Sequence, residues 1–115
     1  MQNGKINGVL ASVKHFIGDG ATLYGADEGN VNVGNYQTFL KHNIEGYKGS
    51  ISVDVGTVMC SYSAINWVTM SIGPQMQYIL RENLKFSGFV ISDYLELGKI
   101  SWQQLPTDFQ KMEGY

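Results

Sequence analysis

Gly88-Phe89-Val90-Ile91-Ser92-Asp93-Tyr94 sets a short apolar run against a serine and a carboxylate. Phe89, Val90 and Ile91 have the length and residue types of a buried strand. Asp93 at its end has two readings. It caps the turn that follows, or the strand is a rigid post that presents a reactive group. The segments upstream show what kind of sheet this strand enters.

Pro74 is a favoured first-turn residue and opens a helix. Met76, Ile79, Leu80 and Leu84 form its apolar stripe. A polar loop, residues 63–73, precedes it, and before that an apolar run over residues 55–62 predicts a second strand. Further back, Tyr36, Phe39, Leu40, Ile44, Tyr47 and Ile51 recur at spacings of three and four. That pattern predicts one helix over residues 35–52. Gly46 and Gly49 weaken its second half by roughly 1 kcal/mol each. Residues 8–16 predict a first strand ending in Lys14-His15, followed by a long polar loop over residues 17–33. Residues 108–112 read as the start of a helix.

The order is strand, helix, strand, helix, strand. The strand-to-helix loops are long and polar, and the helix-to-strand links are short. This is the βαβαβ alternation of an α/β parallel sheet. The apolar strands predict burial on both faces. In such folds ligands gather at the carboxyl ends of the strands. Here those ends are Lys14-His15, Ser61-Tyr62 and Ser92-Asp93, all polar. Nearby cations would favour the ionised form of Asp93, the form a nucleophile requires.

Bulk properties exclude several classes. The chain has 115 residues, a net charge of −2 and no basic patch, which argues against nucleic acid or an anionic membrane as the main partner. No apolar stretch is long enough to span a membrane. The single cysteine, Cys60, lies in an apolar run and reads as a buried thiol. His15, His42 and Cys60 are scattered, so no metal site is expected. Gly18-Asp19-Gly20 follows a strand, but Leu23 stands where a dinucleotide fingerprint needs a third small residue, so no nucleotide cofactor is expected. No Gly-x-Ser-x-Gly is present. Adjacent strand residues point to opposite faces, so Lys14 and His15 share a site only where the backbone is irregular, for example at a cis peptide. Otherwise Lys14 lies in solvent beside a hydrogen-bonded histidine.

Three segments carry a resemblance. Residues 14–20, Lys-His-Phe-Ile-Gly-Asp-Gly, resemble the Lys-His-Phe-x-Gly-Asp-Gly segment of glycoside hydrolase family 3. Residues 57–66, Thr-Val-Met-Cys-Ser-Tyr-Ser-Ala-Ile-Asn, resemble its Thr-Val-Met-x-Ser-Tyr-Ser-x-x-Asn segment, and residues 88–94 its Gly-Phe-Val-x-Ser-Asp-Trp segment. Order and spacing match over roughly residues 7–100. The resemblance implies that residues 1–115 are part of that family's amino-terminal (β/α)8 barrel domain, an incomplete βαβαβ portion. It implies a retaining β-glucosidase that removes terminal β-D-glucosyl residues from β-glucosides or β-glucan oligosaccharides. The Ile-Gly-Asp-Gly form looks like the β-glucosidase and exo-β-glucan glucohydrolase branch.

Carried over by position, Asp93 is the catalytic nucleophile, Lys14 and His15 hold sugar hydroxyls, and Met59, Tyr62 and Tyr94 line the first subsite. The family's cis peptide at the Lys-His pair is expected at Lys14–His15. Tyr94 stands where the family usually has Trp, and Trp67 where it usually has Gly.

The resemblance supplies no acid/base. The expected partners are therefore the remainder of the barrel and a second domain that supplies that residue. Secretion is what the family suggests. On its own the 115-residue chain is expected to fold poorly and to be inactive. The alternative is a non-catalytic relic or carbohydrate-binding remnant of the same barrel.

Overall fold

The structure is a computed structural model that describes residues 8–95. The helix predicted over residues 108–112 lies outside that range. Three strands, β1 (Ser12–Phe16), β3 (Thr57–Cys60) and β6 (Phe89–Ile91), form a parallel sheet in the order β1-β3-β6. Helices α1 (Tyr36–Asn43) and α2 (Glu45–Ser52) connect β1 to β3, and α3 (Met76–Asn83) connects β3 to β6. This is the βαβαβ order of an α/β fold.

Alternation along β3 sorts its side chains. Val58 and Cys60 are buried, while Thr57 and Met59 are half-buried on the opposite face. The core joins Phe16, Val58 and Cys60 to Phe39 and Ile44 of the first helical segment and to Ile79 and Leu80 of α3. Met76 and Leu84 pack against its margin, so the predicted stripe of α3 faces inward as read.

Several expectations are corrected. The first two strands are shorter than residues 8–16 and 55–62, because pairing with β3 begins only at Ser12 and ends at Cys60. Burial on both faces holds for neither outer strand: Phe89 is 78% exposed, since β1 and β6 form the two edges of a three-stranded sheet. The single helix over residues 35–52 is two helices meeting at Ile44. Asn35 caps the first, its side chain accepting from the Thr38 amide at 3.0 Å. Near its end the Asn43 side-chain amide donates to the Phe39 carbonyl at 2.8 Å, competing with the helical ladder for that acceptor. Helix α3 is π-wound, with the Leu84 amide bonded to the Ile79 carbonyl at 2.9 Å.

The long loops are also not structureless. They contribute a second small sheet of β2 (Asn30–Val31), β4 (Ala64–Ile65) and β5 (Val68–Thr69). Strands β4 and β5 form a hairpin whose two turn residues, Asn66 and Trp67, have φ of 47° and 67°. These are the positive angles of a type I′ turn. The Asn66 side chain clips the Val33 backbone, accepting from its amide at 2.8 Å and donating to its carbonyl at 3.3 Å. The Trp67 amide donates to Asn30 Oδ1 at 2.7 Å. The sheet thus ties the loop after β1 to the loop after β3, at the carboxyl end of the main sheet. Among the described residues no helix is long and apolar enough to cross a membrane.

Candidate active site

The carboxyl end of β1 is irregular. Val13 pairs with Val58 and Phe16 with Cys60, so three steps on β1 match two on β3. One extra residue bulges there, which re-aims side chains at a strand end. The Lys14–His15 and Phe16–Ile17 peptide bonds are both cis. Behind the bulge, Tyr47 of α2 donates its hydroxyl to the His15 carbonyl at 2.6 Å and sets its ring edge-on to Phe16 at 4.9 Å. Burial, and then the negative charge of Asp19, push the Tyr47 hydroxyl well above the usual phenol range.

The His15 imidazole lies between two carboxylates. Its Nδ1 is 2.7 Å from Asp19 Oδ2, and its Nε2 is 3.3 Å from Asp93 Oδ2. The other oxygen of Asp93 accepts from the Tyr94 amide at 2.7 Å. Asp93 therefore turns back toward β1, with 21% of its side chain exposed. These contacts are partly exposed, so each contributes only about 0.2–1 kcal/mol to stability. Their chief effect is on orientation.

Asp19 owes its place to Gly18, whose φ of 102° turns the chain out of the strand. A Cβ at Gly18 would press on the Phe39 ring at 3.1 Å. Asp19 Oδ1 then accepts from Ser61 Oγ, and from Ser63 Oγ at 3.2 Å, both serines being buried just past β3. The Ser63 amide donates to Ser61 Oγ at 2.9 Å.

Strand β6 is fixed from behind. A Cβ at Gly88 would collide with the Gly56 carbonyl oxygen, so only glycine lets β6 start so close to β3. Arg81 Nη1 donates to the Phe86 and Gly88 carbonyls, at 2.8 Å each, and its guanidinium stands over the Phe86 ring at 5.2 Å.

Of the residues singled out in the sequence, the structure brings His15 and Asp93 together. Lys14 is exposed on β1 and forms no ion pair among the described residues. Met59 is half-buried in β3 opposite Ile91. Tyr62 is half-buried two residues past β3, and Tyr94 is 79% exposed beside Asp93. Sequence reasoning missed Asp19, Ser61 and Ser63 as one cluster. The available signal was an aspartate four residues after His15 and a Ser-x-Ser at the next strand end. No group of three or more His, Cys, Asp or Glu among the described residues is arranged to hold a metal ion.

A parallel βαβαβ sheet with polar side chains gathered at its carboxyl end is the arrangement in which α/β folds place their ligand sites. Residues 1–112 match the Glycosyl hydrolase family 3 N terminal domain, and the chain belongs to that family. Beta-glucosidase 2 of Saccharomycopsis fibuligera is 32% identical, with 76% of this chain and 12% of that protein covered. Among solved structures, the exo-1,3/1,4-beta-glucanase of a Pseudoalteromonas species is 32% identical with a TM-score of 0.72, covering 76% of this chain and 11% of that one. A beta-glucosidase involved in saponin metabolism from intestinal bacteria is 26% identical with a TM-score of 0.74, covering 85% and 13%. The chain thus spans about an eighth of the curated relative's length. Its three parallel strands are consecutive strands of an α/β barrel.

Proposed function

We propose that this chain is the part of a retaining, exo-acting β-glucosidase that carries the nucleophile, Asp93. The observation that supports this most is the holding of Asp93 at the end of β6, with Oδ1 on the Tyr94 amide and Oδ2 facing His15 Nε2. A strand-end carboxylate with both oxygens oriented is suited to in-line attack on a sugar carbon. Relatives named beta-glucosidases and an exo-glucanase support a β-glucoside or β-glucan oligosaccharide as substrate.

The reaction runs in two steps. An Asp93 oxygen attacks the anomeric carbon as the bond to the leaving-group oxygen breaks, and that oxygen takes a proton from a second carboxylic acid. Water, deprotonated by the same second group, then attacks the anomeric carbon and releases Asp93. Retaining chemistry needs the two carboxyl groups roughly 5–5.5 Å apart. Asp19 does not fill the second role, because both its oxygens are engaged by His15, Ser61 and Ser63. The acid/base is assigned to a segment outside these residues, such as a second domain, because the family resemblance matches no residue of this chain to that role. Lys14 and His15 bind sugar hydroxyls, and Met59, Tyr62 and Tyr94 line the first subsite.

A (β/α)8 barrel takes about 250 residues and closes on itself. The open edges of β1 and β6 leave apolar surface that a complete barrel covers. The 115-residue chain alone is accordingly unstable and inactive. The test is hydrolysis of an aryl β-glucoside by the full gene product carrying these residues, with the first-formed glucose followed by proton NMR. β-Glucose released first supports the reading. α-Glucose released first, or equal activity in the isolated 115-residue chain, overturns it.

A further inference from the structure

His15 is gripped from a side that the proposed reaction does not use. A chain of contacts runs from Ser61 and Ser63 to Asp19 Oδ1, from Asp19 Oδ2 to His15 Nδ1 at 2.7 Å, and from His15 Nε2 to Asp93 Oδ2 at 3.3 Å. We propose that Asp19 is a positioning residue acting through His15: it holds an N–H on Nδ1 and fixes the ring so that Nε2 stays against Asp93. This role rests on the reading of Asp93 as the nucleophile.

Donors and acceptors decide how the ring is held. An ionised carboxylate only accepts, so the 2.7 Å contact at Nδ1 calls for an N–H on that nitrogen. Asp19 is not free to swing away. Its Oδ1 takes hydroxyl protons from two buried serines, and the Ser63 amide, donating to Ser61 Oγ, leaves the Ser61 proton pointing at Asp19. The imidazole χ2 torsion is broad and two-fold, so without such a grip a ring flip would exchange nitrogen for carbon facing Asp93. A carboxylate on the remote nitrogen removes that freedom and keeps an N–H there.

The same donor count makes Asp19→Asn diagnostic. The serine hydroxyls demand an acceptor, so the amide oxygen takes the place of Oδ1. The amide NH2 then faces His15 Nδ1 and demands an acceptor there. Nδ1 must then be bare, with the N–H of the ring on Nε2, against Asp93. The substitution thus strips the proton from Nδ1 with almost no change of shape.

The experiment uses the full gene product with ¹⁵N-labelled histidine, the His15 signals being assigned by their loss in His15→Gln. Wild type is expected to show a protonated Nδ1, and Asp19→Asn a bare Nδ1. In parallel, a 2-deoxy-2-fluoro-β-glucoside is expected to form its covalent adduct about 10- to 100-fold more slowly in Asp19→Asn, the scale on which carboxylate partners of metal-bound histidines act. A bare Nδ1 in wild type, or an unchanged Nδ1 in Asp19→Asn, overturns the proposal whether or not the variant is active. If Asp93→Asn abolishes the adduct while Asp19→Asn forms it at the wild-type rate, only the role of Asp19 fails. If Asp93→Asn still forms the adduct, the nucleophile assignment fails first, and the role of Asp19 with it.

Discussion

His15 Nε2 and Asp93 Oδ2 meet at 3.3 Å although β1, which holds His15, and β6, which ends just before Asp93, do not touch. Strand β3 lies between β1 and β6. At about 4.8 Å per strand spacing, the two backbones stand roughly 10 Å apart. The side chains therefore reach toward each other over the end of β3. Nothing in strand pairing requires this. It depends on the bulge between Val13 and Phe16, on Asp19 behind the imidazole, and on the Tyr94 amide behind the carboxylate.

Tyr47 supports the strand end from below. Its pKa is raised in the folded state above its ordinary value of about 10. The stability this contributes is fully present below pH 10 and is lost as pH rises toward the folded value, because only the unfolded chain then releases the proton. Tyr47→Phe keeps the ring but removes the hydroxyl bonded to the His15 carbonyl. Loss of that bond is expected to cost about 1–3 kcal/mol at neutral pH and to flatten the decline above pH 10. Thermal melts of the full gene product at pH 7 and pH 11 check both effects. A variant with the same alkaline slope as wild type would contradict the assignment.

Arg81 ties the turn before β6 through two backbone carbonyls. Arg81→Ala leaves both without that donor, a loss of about 1.5–3 kcal/mol for a charged donor. Amide hydrogen exchange over Phe89 to Ile91 should then speed up by roughly tenfold or more, since 1.4 kcal/mol is a factor of ten. Because β6 carries Asp93, hydrolysis should fall as well. Unchanged exchange in β6 would show that the turn is held by other means.

Trp67 occupies a turn position with φ of 67° and is 78% exposed. A bulky L residue there costs roughly 1–2 kcal/mol, and Asn-Gly is the preferred pair for this turn. Trp67→Gly is expected to strengthen the β4–β5 hairpin, read as slower exchange of the Met70 amide, which bonds the Ser63 carbonyl. Faster exchange would mean that the indole makes contacts that outweigh the backbone strain.

These residues also show where the sequence was legible. Met76, Ile79, Leu80 and Leu84 carried the α3 stripe because helical periodicity is written in neighbouring positions. The strand order followed from apolar runs and loop lengths in the same way. The break at Ile44 was hidden because it involves an Asn43 side chain taking a helix carbonyl, which leaves the apolar spacing intact. The second sheet was hidden because its strands have two residues each and are stitched by asparagine side chains. Asp19 was visible only as part of a glycine-rich loop, since its serine partners lie 42 and 44 residues away. Local pattern showed which strand ends are polar, while the contacts that organise them are long-range.

The central claim is that Asp93 forms the covalent bond to glucose. Its most direct test is to inactivate the full gene product with a 2-deoxy-2-fluoro-β-glucoside, digest it and locate the added sugar by mass spectrometry. The account predicts a single fluoroglucosyl group on the peptide containing Asp93, absent in Asp93→Asn. A label on another carboxylate, or full turnover by Asp93→Asn with no label in wild type, would contradict it.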